Sequence, residues 1–164
     1  MRDLSTEPSG EKGLQFNLYI DGASKGNPGM AGAGVWLTNH EGKELLGISR
    51  DLGHKTNYEA EYWALLIGLR EAKRWGMASI HIFTDSELIA RQVKGVYRVK
   101  NSNLKGLHKE VMENLKAFSS FEIESIPREE NREADRLANE AIRRKKEIFR
   151  FSRNLRKGGK SKET

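Results

Sequence analysis

Two aspartates stand where a folded chain could use their carboxylates for chemistry. Asp21 follows the apolar run FNLYI, and Asp85 follows the apolar run SIHIF, so each ends a predicted strand. Carboxylates at the ends of adjacent strands can converge above one edge of a sheet. Taken singly, Asp-Gly is typical of a turn and Asp-Ser of a helix cap. The pair therefore indicates a site only if further acids join it.

Glu61 is the third candidate because of its place on a predicted helix over residues 56–75. Steps of about 100° per residue put Glu61 at the centre of the apolar face, whereas Glu59 lies about 160° away, facing water. A carboxylate within a core stripe is costly unless it is paired or bound to a metal. An inward glutamate satisfied by an arginine or by backbone amides is the alternative.

Asp135 is the fourth candidate, in the first turns of a last helix predicted from about Asn131 to Ile148. It lies on the border of an apolar stripe, and the positive potential of a helix N-terminus favours its ionised form. Surface exposure remains the alternative for Asp135. Four carboxylates without a cysteine or histidine cluster suit Mg²⁺ or Mn²⁺ better than zinc. Two such ions would activate a water and stabilise the leaving oxygen in phosphodiester cleavage.

The elements that must position these acids form an α/β pattern. Three strands joined by short turns predict an antiparallel meander, and later strands alternate with helices. The predicted order is βββαβααβα, which implies a mixed sheet with helices packed on it. The strands are predicted at 14–20, 31–39, 43–52, 79–85 and 121–126.

Composition and charge indicate one domain with a basic end. A chain of 164 residues suits a single domain over 14–148, with residues 1–13 as a disordered leader. The absence of cysteine favours a reducing compartment, and no run resembles a membrane span or a signal peptide, so we expect a cytoplasmic protein that binds no membrane. Residues 143–164 carry a net charge of +8, against −2 for the rest. A basic tail over 149–164 suits contact with phosphates, although a solubilising role is the alternative.

Four segments together resemble the type 1 ribonuclease H family. They are YIDGASKGNPGMAGAGVWL, TNYEAEYWALLIGL, IFTDSELIARQVKG and REENREADRLANEA, in the family's order. The resemblance covers residues 14 to about 142. The resemblance implies a ribonuclease H-like three-layer fold. Its five-stranded mixed sheet is a meander of three antiparallel strands plus two crossover strands, with helices on both faces.

The resemblance also implies an activity and a set of roles. The activity is endonucleolytic hydrolysis of the RNA strand of an RNA–DNA hybrid with two Mg²⁺ ions (Mn²⁺ as the substitute), leaving 3′-hydroxyl and 5′-phosphate ends. We expect a monomer, and the sequence leaves the oligomeric state open. The family's metal-binding and catalytic carboxylates match Asp21, Glu61, Asp85 and Asp135. The residues that match its contacts with the hybrid are Gly22, Ser24 and Asn27 for the minor groove and Thr56 and Asn57 for a DNA phosphate.

Three departures from the family pattern concern activity and affinity. Many members carry a histidine in the loop before the fourth carboxylate, where this chain has PREE at 127–130, so Arg128 or Glu130 is the candidate substitute. The basic protrusion of some members is absent from the short stretch GVYRVKNS, and we expect no N-terminal hybrid-binding domain. We hypothesise that the basic tail supplies the missing affinity.

Two other functions stay open on the sequence. One is a non-catalytic relative that binds hybrid or RNA, which the presence of all four carboxylates disfavours. The other is a transposase, exonuclease or junction resolvase of the same fold, which the loop DGASKGNPG and the segment TN-x-x-AE disfavour. The biological hybrid, the preferred ion and the cleavage of double-stranded RNA are also left open.

Overall fold

A computed structural model describes the backbone of residues 15–163 and the side chains of residues 15–147. The leader predicted at 1–13 lies outside the described residues. The strands are β1 (Phe16–Gly26), β2 (Gly29–Thr38), β3 (Glu44–Lys55), β4 (Ser79–Thr84) and β5 (Ser120–Ser125). The helices are α1 (Asn57–Arg74), α2 (Glu87–Lys94), α3 (Ser102–Leu115) and α4 (Arg132–Glu163), with a 3₁₀ turn at Arg128–Glu130. The predicted order of elements is confirmed.

The strands form one mixed sheet in the order β3-β2-β1-β4-β5. The pairs β1–β2 and β2–β3 are antiparallel, whereas β1–β4 and β4–β5 are parallel. The predicted meander with two crossover strands is therefore confirmed. Because β1 and β4 are parallel neighbours, their carboxyl ends lie at the same edge of the sheet.

Alternating side chains divide the sheet into two faces. Leu18 and Ile20 of β1 and Ile82 of β4 are fully buried, in one core with Leu65 and other apolar residues of α1. The opposite face is covered in part by α4, whose Ala134 and Ala138 backbones contact β2. Helices on both faces of the sheet are thus confirmed.

Helix α4 can approach β2 so closely because the strand presents glycines to it. A Cβ added at Gly34 would lie 1.9 Å from the carbonyl oxygen of Ala134 and 2.6 Å from the amide nitrogen of Ala138. A Cβ added at Gly32 would lie 2.3 Å from the carbonyl oxygen of Ala138. Both glycines thus allow backbone-to-backbone packing that a side chain would prevent.

The glycine-rich segment differs from the predicted loop between two short strands. Strand β1 continues to Gly26 and β2 begins at Gly29, so the segment forms a hairpin with a two-residue turn. The Ser24 hydroxyl donates a hydrogen bond to the carbonyl of Lys55 at 2.9 Å, which ties the hairpin to the end of β3. Neighbouring elements thus hold the hairpin in place despite its glycines.

The start of α1 shows a role for Glu59 that the helical phase did not predict. Thr56 caps the helix by accepting the Glu59 amide at 3.1 Å, and the Glu59 carboxylate accepts the Thr56 amide at 2.8 Å. This reciprocal pair is a capping box, which satisfies two otherwise unpaired amides. Glu59 therefore stabilises the helix N-terminus and does not simply face water.

The helix ends give two further corrections. Helix α4 continues to Glu163, past the end predicted near Ile148, so its backbone includes most of the predicted tail. The helical phase of residues 56–75 predicts Trp75 on the same apolar face as Glu61, but it is the C-cap residue of α1 and half of its surface is exposed. Within the described part of the chain, no helix has both the length and the apolar character needed to cross a membrane.

The packing of α4 on β2 gives a stability prediction. Gly34→Ala places a methyl group against the α4 backbone, and we expect a loss of about 1–3 kcal/mol in the free energy of unfolding. Urea unfolding followed by circular dichroism measures it. The control is Gly106→Ala in α3, where an added Cβ meets nothing within 4 Å. That variant should gain up to about 1 kcal/mol, because alanine favours the helix. Equal stability of the two variants would contradict the described packing.

Candidate active site

The structure brings three of the four predicted carboxylates together. Asp21 lies on β1, Glu61 on α1, and Asp85 directly after β4. One carboxylate oxygen from each lies within 4.8 Å of the others. Asp21 and Glu61 are buried, and Asp85 is partly buried. The sheet edge formed by the parallel pair β1–β4 thus carries a compact acidic cluster.

Asp135 lies beside this cluster. It lines the same open cavity of about 400 Å³ as Asp21, Glu61 and Asp85. Its Oδ1 atom lies 3.5 Å from the guanidinium of Arg128 and accepts a hydrogen bond from the Asn139 amide at 3.2 Å. Asn131, directly before α4, donates from its side chain to the Ile20 carbonyl at 2.9 Å. That bond fixes the first turn of α4 against β1.

Gly22 is the residue that lets Asp21 and Glu61 meet. A Cβ added at Gly22 would lie 2.3 Å from the carbonyl carbon of Ala60 and 2.3 Å from the amide nitrogen of Glu61. Strand β1 and helix α1 therefore touch backbone to backbone at this point. The family resemblance implies only a substrate-facing role for Gly22, and this packing role is not indicated by the sequence.

Burial and mutual repulsion oppose ionisation of the clustered acids. Loss of hydration raises the pKa of Asp21 well above its usual range, and the charges of Glu61 and Asp85 raise it further. Burial also raises the pKa of Glu61, against hydrogen bonds from Asp21 and from the Gly22 amide. The pKa of Asp85 is raised by burial too, although the nearby Arg128 opposes the shift. Without a cation, Asp21 and Glu61 thus favour a state in which they share a proton.

The donor set fits a hard divalent cation. The Oε1 atom of Glu61 is buried and has no hydrogen-bond partner among the described residues. A buried, unpaired carboxylate oxygen is costly, and a bound cation would satisfy it. The other groups in the cluster are also carboxylates, the ligands that Mg²⁺ and Mn²⁺ prefer.

The two candidates in the loop before α4 differ in position. Arg128 and Glu130 both belong to the 3₁₀ turn, but only Arg128 lines the acidic cavity. The charge of Glu130 acts instead on Tyr19, whose pKa is raised by burial and by the nearby Glu124 and Glu130. The structure therefore places Arg128, and not Glu130, against the acids.

The predicted substrate contacts lie around the hairpin and the start of α1. Gly22, Ser24 and Asn57 line the acidic cavity, whereas Asn27 and Thr56 line a neighbouring cavity of about 170 Å³. The Asn27 side chain accepts the Asn57 amide at 2.9 Å, which joins the hairpin to the helix. The five residues therefore form one continuous surface beside the acidic cluster.

Several further residues on this surface carry no sequence signal for a site. The half-exposed Tyr58 lines both cavities, and Asn101 and Asn103 line the smaller one. Asn101 also caps α3 through a side-chain bond to the Asn103 amide at 2.7 Å. Asn101 could be recognised in the sequence as a helix cap, but nothing in the sequence indicates that it lines the same cavity as Thr56.

A five-stranded mixed sheet with acids at the ends of β1 and β4 defines the ribonuclease H-like class of α/β domains. A family model described as reverse transcriptase-like matches residues 19–141. The ribonuclease HI of Halobacterium salinarum is 34% identical over 140 residues, which are 85% of this chain and 70% of that protein. The chain therefore belongs to the ribonuclease H family.

Further comparisons agree with this assignment. The bifunctional protein Rv2228c of Mycobacterium tuberculosis is 37% identical over 131 residues, but the match spans only 36% of that longer protein. The crystal structure of RNase H1 from Halobacterium salinarum superposes with a TM-score of 0.76 at 35% identity, covering 78% of this chain and 97% of that one. LC11-RNase H1, solved in complex with RNA/DNA hybrid, gives 0.76 at 37% identity, covering 79% and 98%.

The raised pKa of Asp21 gives a prediction for metal-free protein. The folded state binds this proton more tightly than the unfolded state, so the ionised carboxyl destabilises the fold as the pH rises above about 4. In EDTA at pH 7.5 we expect Asp21→Asn to have a free energy of unfolding about 1–2 kcal/mol larger than that of the parent, and therefore a higher unfolding temperature. The difference should vanish near pH 4. Thermal unfolding at both pH values measures it.

Asp51→Asn is the matched control. The pKa of Asp51 is lowered in spite of some burial, because the Gly53 amide and Lys145 stabilise the carboxylate. Its replacement should leave stability at pH 7.5 unchanged or lower. A gain in stability in both variants would show that the changed net charge of the protein, and not relief of repulsion within the cluster, is the cause.

Proposed function

We propose that this chain is an endonuclease that hydrolyses the RNA strand of RNA–DNA hybrids, leaving 3′-hydroxyl and 5′-phosphate ends. The observation that carries the proposal is the convergence of Asp21, Glu61 and Asp85 in an open cavity. Membership in the ribonuclease H family and the hybrid bound by LC11-RNase H1 support the choice of substrate.

The four carboxylates Asp21, Glu61, Asp85 and Asp135 would hold two Mg²⁺ ions, with Mn²⁺ as the substitute. Such ions activate a water as the nucleophile and stabilise the leaving oxygen. With cations bound, Asp21 and Glu61 would be held as carboxylates without the proton that they share in the metal-free protein. The rigid contact at Gly22 keeps these two side chains in place.

The surface next to the acids would orient the hybrid. The hairpin groups near Gly22, Ser24 and Asn27 face the minor groove in this proposal, where the 2′-hydroxyl distinguishes RNA from DNA. Thr56 and Asn57 hold a DNA phosphate, and the N-terminus of α1 favours an anion there. The two strands of the hybrid are thus held by different sides of one surface.

A cleavage assay tests the proposal directly. The substrates are an RNA–DNA hybrid and a double-stranded RNA of the same sequence, each with the RNA labelled, and each assayed with Mg²⁺ and with Mn²⁺. We expect cuts within the RNA strand of the hybrid and products with 5′-phosphates. Binding without cleavage by folded protein, with either ion, would favour the non-catalytic relative. Cleavage of double-stranded RNA at the same rate would contradict hybrid specificity.

Two glutamates on α1 provide a matched pair of variants. Glu61→Gln removes a carboxylate from the cluster, and we expect kcat to fall by at least about a thousandfold, since the residue acts on the reacting centre. Glu59→Gln makes the same chemical change two residues away and preserves the capping box, because glutamine also serves at that position. Its kcat and its unfolding temperature should match the parent.

Steady-state kinetics on the hybrid, together with thermal unfolding, separates the two variants. Equal loss of kcat in both would show that the change acts through the helix as a whole. Full activity of Glu61→Gln would remove Glu61 from the proposed site.

Arg128 is the proposed substitute for the family's loop histidine. Its guanidinium acts on Asp85 and Asp135, and it is largely exposed, so it can reach a phosphate in the cavity. We expect Arg128→Ala to lower kcat by about tenfold to a hundredfold and Arg128→Lys to recover part of it, because a charge-assisted contact is lost and then partly restored. Glu130→Gln, in the same turn, should leave kcat unchanged. An equal effect of Arg128→Ala and Glu130→Gln would contradict the assignment.

A further inference from the structure

The sheet face that carries α4 also carries a row of partly exposed aromatic side chains. Tyr19, Trp36 and Phe83 lie side by side on β1, β2 and β4, with ring centroids 5.2 Å apart for Tyr19–Trp36 and 4.7 Å for Tyr19–Phe83. His81 stacks on Phe83 at 4.2 Å. We call these four residues the aromatic row. All four are partly exposed, whereas the residues next to them in each strand are buried in the core.

Helix α4 packs its backbone against β2 farther along the strand than this row, and its Leu137 side chain lies beside Gly47, the β3 partner of Trp36. Its close contacts are with Gly32 and Gly34, where the strand has no side chains. Trp36, the next residue on the same face, is beyond those contacts and only partly covered. The row is therefore an apolar surface next to the helix.

Three carboxylates border the aromatic row, and we call them the carboxylate rim. Glu44 accepts a hydrogen bond from the Trp36 indole at 2.7 Å. Glu124 lies 2.7 Å and Glu122 3.7 Å from the His81 ring nitrogen, with 50% and 63% of their side chains exposed. Within residues 15–147, none of the three forms a salt bridge with a lysine or arginine. Glu44 also interacts electrostatically with Arg136 of α4. Glu122 and Glu124 are therefore the carboxylates whose negative charge is most available to a ligand.

Tyr19 and His81 both stack on Phe83, so Trp36, tilted by 47° against Tyr19, is the ring of the row that is not stacked on a neighbour. A partly exposed indole bordered by carboxylates favours one kind of ligand group. A guanidinium stacks on aromatic rings and pairs with carboxylates at its edge, and it gives up its weak hydration more easily than an ammonium does. Phosphates are repelled by the same rim, so a nucleic acid does not fit this surface. We propose that the aromatic row and its carboxylate rim form a docking site for an arginine-rich segment of a partner protein.

The docking site and the acidic cavity are adjacent but separate. Tyr19 and Phe83 each lie two residues before a carboxylate of the cluster, on the same strands. None of the aromatic row or the carboxylate rim lines the acidic cavity. A bound segment therefore leaves the cavity open, and a partner docked here would be held beside the hybrid that the enzyme cuts.

Nuclear magnetic resonance with a synthetic peptide tests the proposal on the full chain. The probe is a short peptide of alternating arginine, glycine and serine, titrated in the presence of Mg²⁺. The chain has three tryptophans, whose indole N–H signals report separately. We expect the Trp36 signal to shift with saturation, and the Trp63 and Trp75 signals to stay in place. A peptide with lysine in place of arginine should bind at least about threefold more weakly.

Charge-matched variants locate the binding. Glu122→Gln combined with Glu124→Gln should lower the affinity for the arginine peptide by about fivefold or more, because two exposed ion pairs with the peptide are lost. Glu110→Gln combined with Glu113→Gln removes the same charge from exposed positions on α3 and should leave the affinity unchanged. Asp85→Asn should also leave it unchanged, because the acidic cluster is not the docking site. Thermal unfolding checks that each variant is folded.

Several outcomes would overturn the proposal. An unmoved Trp36 signal, equal loss in the two double variants, or loss of binding in Asp85→Asn would each do so. A concentration-dependent Trp36 shift without peptide would assign the surface to a second copy of this chain, and a shift caused by single-stranded RNA would assign it to nucleic acid. Hybrid cleavage by the Glu122→Gln, Glu124→Gln variant should equal that of the parent, so failure here is distinct from failure of the nuclease proposal.

Discussion

The backbone contact between β1 and α1 at Gly22 is the constraint on which the site depends. It brings Asp21 and Glu61 into the same small volume, although their charges repel each other and both are withdrawn from water. Parallel pairing with β4 then adds Asp85 at the same edge. The packing of the surrounding core outweighs the unfavourable free energy of placing these charges close together and away from water. A site of this kind is stable only with protons or cations present.

The sheet face that carries α4 has two surfaces that differ in where their charged groups lie. At the edge where β1 and β4 end, carboxylates converge and Arg128 opposes them from a turn. Farther along the same strands, aromatic rings fill the middle of the face, and carboxylates lie only around them. The position of α4 separates these surfaces, because the helix covers β2 only where glycines allow it.

Much of this structure could be predicted from the sequence because the relevant signals are local. Runs of apolar residues predicted the strands, and the helical phase put Glu61 toward the core, where it is buried. The same helical phase predicted only that Glu59 faces water, because a reciprocal cap depends on the conformation of Thr56 and not on periodicity. It also misjudged Trp75, because the helix ends there and the side chain passes beyond the core. Local patterns thus predict elements better than they predict element ends.

The contacts between distant segments could not be predicted in this way. Nothing in the glycine-rich hairpin shows that Gly22 faces a helix backbone, or that Gly34 faces a different helix on the other side. The position of Arg128 against the acids, rather than Glu130, depends on the 3₁₀ turn. The grouping of Asn101 and Asn103 with Thr56 depends on where α3 begins. These features follow from the three-dimensional packing of elements that are far apart in the chain.

The short edge strand β5 has a consequence for how the chain behaves at high concentration. An edge strand offers unpaired backbone groups to which another strand can add, and long apolar edges therefore promote aggregation. Strand β5 has only six residues, and Glu122 and Glu124 alternate along it. If two copies of this edge approached each other, their carboxylates would repel before the backbones could pair. The charged strand β5 thus opposes edge-to-edge pairing between copies of this chain.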